Sequence, residues 1–368
     1  MHPDAVAYVG AGISVAAGIP DFRSKQVIPG IPELAQRKLK DMFQLSMIMD
    51  ETLRPSFARF SASLAQKTED SQPTLFHKLL KALEDRGTLV RIYTQNIDGL
   101  ESKAGVSTYH RSCPQTGDGL QRSTCIPLHG SLRYIYCQSC HAVEEMKHHQ
   151  DELMHGTFPS CRSCQREQHA RREAGKRVRL VPTMVPDVVL YGQEHPDSQG
   201  ITEFQMQDLS GTQPIDLLLV VGTGMHVIGT QRIIREFSKQ VRKNRSPTDP
   251  SPCVVYLNLE CKQQKKWESI FDVWIQADCQ TVAAAILDTL KEKGEKEKRK
   301  LHVSDTYEVD CLSVQHEQEP EYLTARPGLR TGSRSGFSYG YGPGVKPYMR
   351  QPCGVRQSSA QFPHEIYL

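Results

Sequence analysis

Along roughly the first 290 positions, apolar residues fall into two alternating patterns. Short runs rich in β-branched and aromatic residues read as buried strands: Val6-Ala-Tyr-Val9, Leu89-Val-Arg-Ile-Tyr93, Ile215-Asp-Leu-Leu-Leu-Val-Val221 and Cys253-Val-Val-Tyr-Leu257. Each run gives way to small or polar residues: Gly10-Ala-Gly-Ile-Ser14, Gln95-Asn-Ile-Asp98, Gly222-Thr-Gly224 and Asn258-Leu-Glu260. Between the runs, Pro73 to Arg86, Gln231 to Val241 and Thr281 to Lys291 carry apolar residues at helical spacing. Strand followed by helix, repeated, predicts an α/β fold with a doubly wound parallel sheet. Its ligand crevice is expected at the carboxyl ends of the strands.

Two segments interrupt this alternation. Residues 31–66 are rich in Leu, Met, Phe and Ala at helical spacing and read as a helical insertion, whereas 132–179 carry paired cysteines and read as a zinc-centred insertion. Together they are expected to form a smaller zinc-binding and helical domain over a larger part made of 1–30, 67–131 and 180–290. Only five residues precede Val6, so the first strand is expected either to be very short or to lack its beginning. From 291 to 368 the character changes: a charged run leads into Gly332 to Gly344, where Gly, Ser and Tyr dominate, and a mostly disordered tail is expected.

Composition narrows the class. A chain of 368 residues, 38% hydrophobic and 24% charged, supports one large core and a remainder. Its mean hydropathy is −0.48, and no apolar run reaches the roughly 18 residues a membrane span needs, so a soluble intracellular protein is expected. The 45 basic and 42 acidic residues give a net charge of +3, and the run Lys291 to Lys300, with six basic and three acidic residues, accounts for all of it. Bulk charge therefore gives no support to a nucleic-acid binder.

The 11 cysteines are unevenly spread, against a secreted disulfide framework. Cys137-x2-Cys140 and Cys161-x2-Cys164, 20 residues apart, have the spacing of two thiolate turns around one tetrahedral zinc. Four thiolates leave no position for an activated water, so this zinc is expected to be structural and the chemistry to lie elsewhere. Beside the second pair, Arg166 to Arg179 is basic. That stretch is left open between solvated surface and a contact with DNA or a nucleosome.

The loop Gly10-Ala11-Gly12-Ile13-Ser14, followed by Gly18 and then Asp21-Phe22-Arg23, offers close backbone approach and amide donors suited to a pyrophosphate at a strand-to-helix turn. It is not a dehydrogenase fingerprint: Val15 stands where the third glycine belongs, and no acidic residue follows about 20 positions on. Gln95, Asn96, Ile97 and Asp98 gather at the second strand end. Gly222, Thr223 and Gly224 form a further loop, Asn258, Leu259 and Glu260 offer groups for ribose or adenine edges, and Asp278 and Cys279 are placed to close over the base. One extended dinucleotide would satisfy all of them. His129, in Pro127-Leu-His-Gly-Ser131, is a candidate general base, although a lone histidine is more often structural.

The ordered set GAGIS, GIPDFRS, TQNIDGLE, LHGS, two CxxC pairs, VVLYG, GTG and NLE resembles the sirtuin family of NAD-dependent protein deacylases over about residues 5 to 290. The wording IPLHGSLRYIYC and VVLYGQEHP looks most like the fungal nuclear branch that deacetylates a lysine in the globular core of histone H3. The resemblance implies a Rossmann-like large domain, a small zinc domain, and NAD meeting acetyl-lysine between them. By that resemblance, His129 is the catalytic base, taking a ribose-hydroxyl proton after the acetyl oxygen has displaced nicotinamide, and Asn96 positions ribose or water. Asp98 holds the nicotinamide amide, and Val188, Val189, Leu190, Tyr191 and Gly192 grip the substrate backbone as an added strand. Also implied are an acetylated histone H3 or other acetyl-lysine protein as substrate, a chromatin context, a nuclear location and no membrane. Two departures stand out: Gly224 replaces a usual serine and Gln193 a usual glutamate. A protein ADP-ribosyltransferase and a non-catalytic NAD- and zinc-binding chromatin component remain alternatives at this level.

Overall fold

The computed structural model describes residues 4–21, 39–111, 123–210, 214–244, 251, 253–260, 264–310 and 346–349. Phe22, Arg23, the 112–122 segment and the Gly/Ser/Tyr-rich 332–344 stretch lie outside the described residues. Among the described residues, ten strands occur in chain order: β1 (Ala5–Val9), β2 (Leu89–Thr94), β3 (Cys125–Pro127), β4 (Gly130–Cys137), β5 (Val143–Glu145), β6 (Met184–Val188), β7 (Leu217–Val221), β8 (Val254–Leu257), β9 (Val273–Gln276) and β10 (Lys346–Met349).

The large sheet runs β3-β2-β1-β7-β8-β9 with every neighbour parallel, and β10 adds an antiparallel edge. This is the doubly wound Rossmann-like order, in which the chain reverses direction across the sheet between β1 and β7. The four sequence-predicted strands are the four central ones. β3 and β9, three and four residues long, carry too little periodicity to be read from the chain alone.

Side-chain alternation along β1 explains the layering. Ala5, Ala7 and Val9 join one apolar cluster with Phe76, Leu79, Leu80 and Leu83 of the helix Leu75–Asp85 and with Ala283 of the helix Cys279–Asp310. Val6 and Tyr8 join the other, with Phe204 of Ser198–Ser210 and Ile234, Phe237 and Val241 of Ile228–Asn244. A period of two thus places helices on both faces. The helix from Cys279 continues unbroken past residue 290, where the sequence reading ended the catalytic part. A buried ion pair ties the second face to the sheet: Arg91 reaches Asp208 through Nε at 2.9 Å and Nη2 at 2.8 Å, and the Tyr93 hydroxyl donates to the same carboxylate at 2.6 Å.

The small domain has its own core. β4 pairs antiparallel with β5 and β6, and Phe57 and Phe60 of the helix Arg54–Asp70 pack with Phe43, Phe158, Leu132 and Ile135. This three-stranded sheet reaches Val188, beyond residue 179 where the zinc insertion was expected to end. Among the described residues no helix is long and apolar enough to cross a membrane.

Candidate active site

The crevice lies where the strand order reverses, at the carboxyl ends of β1 and β7. The two glycine loops there interlock: the Gly10 amide donates to the Val221 carbonyl at 3.0 Å and the Gly12 amide to the Gly222 carbonyl at 2.9 Å. A Cβ on Gly12 would stand 2.6 Å from the Gly222 Cα, and one on Gly10 2.8 Å from the Thr223 Cβ. Any side chain at either position would push the loops apart. After β1 the chain enters two three-residue 3-10 turns, Ala11–Ile13 and Val15–Ala17, and not the helix start expected from the sequence. A large helix dipole is therefore missing, and the loop amides supply the donors.

A cleft of about 780 Å³ brings the scattered motifs together. Ala11, Gly12 and Asp21 line it, with Gln95, Ile97, His129, the whole Val188–Gly192 segment, Gly222, Thr223, Gly224, Asn258, Leu259, Glu260, Asp278 and Cys279. Asn96 and Asp98 do not. They line an adjoining cavity of about 320 Å³, and Asn96 approaches the first loop through its Nδ2, 3.3 Å from the Ser14 hydroxyl. Gly10, Ile13, Ser14 and Gly18 act behind the wall of the cleft, Gly18 by closing the second turn with a φ of 81°.

His129 is held by a backbone oxygen, its Nδ1 lying 3.0 Å from the Gln95 carbonyl. Only the Nδ1–H tautomer satisfies that contact, which leaves Nε2 as an acceptor. Burial lowers the His129 pKa, more than the Gln95 contact raises it, so the ring is neutral at physiological pH. The Gln95 side chain is fixed in turn. Its Oε1 accepts from the Thr223 hydroxyl at 2.7 Å and its Nε2 donates to Thr230, which also accepts from the Tyr8 hydroxyl at 2.8 Å.

Other loops are pinned in ways the sequence did not reveal. Asn258 Nδ2 donates to the Tyr256 hydroxyl at 2.7 Å and to the Glu260 carbonyl at 2.9 Å, so its amide hydrogens brace the loop and are not turned to a ligand edge. Met225, next to Gly224, has a φ of 54°, the strained left-handed region for a side chain of its size. Burial pushes the Cys279 thiol up to about 12, with Asp278 adding to the effect, and its sulfur faces the Gly12 carbonyl at 3.5 Å. Gln280 carries more of the bracing, donating to the Ile13 carbonyl at 3.0 Å and accepting from the Phe76 amide at 3.0 Å.

The Val188–Gly192 segment spans the two domains. The Val189 amide donates to the His129 carbonyl at 3.0 Å, and the Tyr191 amide donates to the Phe43 carbonyl at 2.7 Å. Gln193 accepts from the Leu190 amide at 3.4 Å and donates through Nε2 to the Tyr136 hydroxyl at 3.2 Å. A carboxylate at this position could accept from both the Leu190 amide and the Tyr136 hydroxyl, so these contacts do not explain the Gln193 departure.

Behind the cleft, His77, Asp98 and Glu101 bring one ligand-type atom each to within 4.8 Å of one another. Asp98 accepts from the Leu100 amide at 2.9 Å and Glu101 from the Thr94 hydroxyl at 2.7 Å. Burial, with the Asp98 charge second, pushes Glu101 up to about 8, while burial also raises Asp98 and lowers His77 to about 3. At neutral pH Glu101 therefore carries a proton and His77 is neutral. Sequence reasoning assigned neither His77 nor Glu101 a role; their only signal is polarity at buried helical positions.

The four zinc-candidate sulfurs all lie within 4.8 Å, with Cys137 to Cys164 at 3.8 Å and Cys140 to Cys161 at 3.5 Å. A tetrahedral site with zinc–sulfur bonds of about 2.3 Å has edges of about 3.8 Å. These two separations are close to such edges, so the cluster is consistent with a zinc site, and the Cys164 amide points at the Cys161 sulfur, at 3.5 Å.

Residues 10–229 match the model of the Sir2 family. Among curated proteins the chain is 31% identical over 358 residues to the NAD-dependent protein deacetylase hst4 of Emericella nidulans, covering 91% of this chain and 56% of that protein. It is 31% identical over 284 residues to the NAD-dependent histone deacetylase HST3 of Saccharomyces cerevisiae, covering 73% and 61%, and 33% identical over 290 residues to HST4 of the same yeast, covering 75% and 73%. The chain thus spans less than two thirds of the length of the first two. A solved structure described as Sir2 bound to acetylated peptide shares the fold, with a TM-score of 0.53 at 20% identity over 77% of this chain and 92% of that one. The chain belongs to the Sir2 family, the sirtuins, and is related to its fungal HST3/HST4 branch.

Proposed function

We propose that this chain is an NAD-dependent protein-lysine deacetylase of chromatin, acting on acetylated histone H3 in the nucleus and releasing nicotinamide and O-acetyl-ADP-ribose. One observation carries the reading: a neutral His129, its Nδ1 occupied by the Gln95 carbonyl, lines the same cleft as the glycine loops and the Val188–Gly192 segment. The names of the HST3 and HST4 relatives, both histone deacetylases, support the substrate class.

The crevice fits a dinucleotide because the Gly10–Gly12 and Gly222 loops leave a cradle that a single Cβ would fill. NAD, when bound, supplies the nicotinamide leaving group and the ribose that accepts the acetyl group. The chain supplies position and a base. Nε2 of His129 takes the ribose-hydroxyl proton, Asp98 accepts from the nicotinamide amide, and Asn96 orients the ribose side. Val189 to Tyr191 hold the acetyl-lysine backbone between the domains. Asp21 shields the reactive end, a role that the family resemblance also implies for Phe22 and Arg23, which lie outside the described residues. Cys137, Cys140, Cys161 and Cys164 would hold a zinc that fixes the small domain and takes no part in the chemistry.

The test is incubation with NAD and a panel of acetylated histone peptides and nucleosomes, with mass detection of both products. Release of nicotinamide together with acetyl-ADP-ribose, strongest on an H3 site and lost in His129→Ala, is expected. Deacetylation without NAD overturns the reading, and ADP-ribose on protein without lysine deacylation assigns the cleft to an ADP-ribosyltransferase.

A further inference from the structure

The zinc module carries a surface that the deacetylase reading does not use. From Arg162 to Arg179 the chain has seven Arg and Lys residues and two Glu, a net charge of +5 in a protein whose total is +3. The helix Arg162–Glu173 turns Cys164 and Gln168 inward and leaves Arg162, Arg166 and Arg172 exposed. The chain then folds back: the Arg179 amide donates to the Gln168 side chain at 2.7 Å, and Arg171 Nε donates to the Arg177 carbonyl at 3.1 Å. Helix and return segment therefore lie side by side, with Lys176, Arg177 and Arg179 also exposed, and the cations outnumber the exposed Glu167 and Glu173 seven to two. Among the described residues, none of the seven is paired with a carboxylate; the one ion pair on the helix joins His169 to Glu173.

An unpaired cationic face of this size is built for a polyanion. The helix is about 18 Å long at 1.5 Å per residue, so with the return segment its charges can follow several phosphates spaced along a backbone. Arginines dominate, and their guanidinium forks match phosphate oxygens in pairs. No Phe, Tyr or Trp occurs between Arg162 and Leu180, which leaves His169 as the one ring there and gives little of the base-stacking platform that single-strand binders use. Position adds a functional reason. Only eight residues separate Arg179 from Val188, so Arg179 lies within about 30 Å of the substrate segment even if the chain is fully extended.

We infer that this face of the zinc module docks on the phosphate backbone of duplex DNA, so that an acetyl-lysine protein already bound to DNA is presented to the cleft. The gain is one of effective concentration, with binding carried by counterion release and no base reading. Docking does not depend on NAD or on the catalytic step.

The test uses the full chain loaded with zinc, a 30-base-pair duplex DNA probe and anisotropy titrations over a salt series. The triple variant Arg166→Ala, Arg172→Ala, Lys176→Ala should bind more than about tenfold more weakly near 0.15 M salt, and its slope of log affinity against log salt should be shallower by about 2.7, or 0.9 for each phosphate contact removed. Zinc content and NAD-dependent turnover of a free acetylated peptide should match wild type. Unchanged affinity and slope in the triple variant overturn the inference, as does loss of binding confined to Lys293→Ala, Lys296→Ala in the basic run. Equal affinity for duplex RNA, or equal competition by polyglutamate, overturns the assignment to DNA. A wild-type chain that binds DNA through this face yet leaves the free peptide acetylated removes the deacetylase reading and not this one.

Discussion

The imidazole of His129 and the main-chain carbonyl of Gln95 meet at 3.0 Å, and that contact decides which ring nitrogen is a base. The carbonyl comes from the polar loop after β2 and the histidine from the turn between β3 and β4. Two adjacent parallel strands therefore set the tautomer without help from a carboxylate.

Replacing His129 by Ala should lower turnover by about 10² to 10⁴, the range for loss of a positioned general base. Because burial depresses this pKa below the ordinary 6.5, the acid limb of the kcat/KM profile should lie below pH 6.5. A limb at or above that value would contradict the assignment of His129 as the buried base.

Glu101 gives a separate pH signature. Its folded pKa, about 8, stands above its unfolded value, so the native state binds the extra proton. The stabilisation from this group is full below the unfolded pKa and declines as pH rises towards 8, by at most about 1.4 kcal/mol per pH unit. Glu101→Gln should flatten that part of a urea-midpoint profile between about pH 5 and 8 while leaving the fold intact. A profile as steep as wild type would show that Glu101 is ionised in the folded state.

Gly12→Ala places a methyl group 2.6 Å from the Gly222 Cα, and both loops belong to the crevice. Overpacking of this kind costs about 1–3 kcal/mol. Calorimetry should find NAD binding weakened by about tenfold or more, whereas Gly87→Ala, with open space around it, should leave NAD affinity unchanged and act only on stability.

One zinc per chain is expected by metal analysis, and Cys161→Ser should abolish it and lower the melting temperature. Since Cys137, Cys161 and Cys164 belong to the same apolar cluster as Phe57 and Leu153, loss of the ion should loosen the whole small domain. Metal content that survives the substitution would refute a four-sulfur site.

Asp208→Ala leaves Arg91 buried without its partner and removes the acceptor of the Tyr93 hydroxyl. Breaking a buried pair in this way costs about 3–5 kcal/mol, measurable as a shift of the urea midpoint. A change below about 1 kcal/mol would mean that the pair is screened by solvent.

By itself the sequence determined the strands at the centre of the large sheet and the loops at their carboxyl ends. Long β-branched runs and glycines at close approach are local signals. The same holds for the zinc cluster, because two CxxC turns are specified by spacing alone. Tertiary structure decided the rest. Strand order put Gly12 against Gly222, although 210 positions separate them, and the register of β4 and β6 brought Val189 to His129. Asn96 and Asp98 were legible as residues but not as neighbours of a second cavity. The raised pKa values of Asp98 and Glu101 arise from burial, and burial belongs to the packed molecule, not to any stretch of its chain.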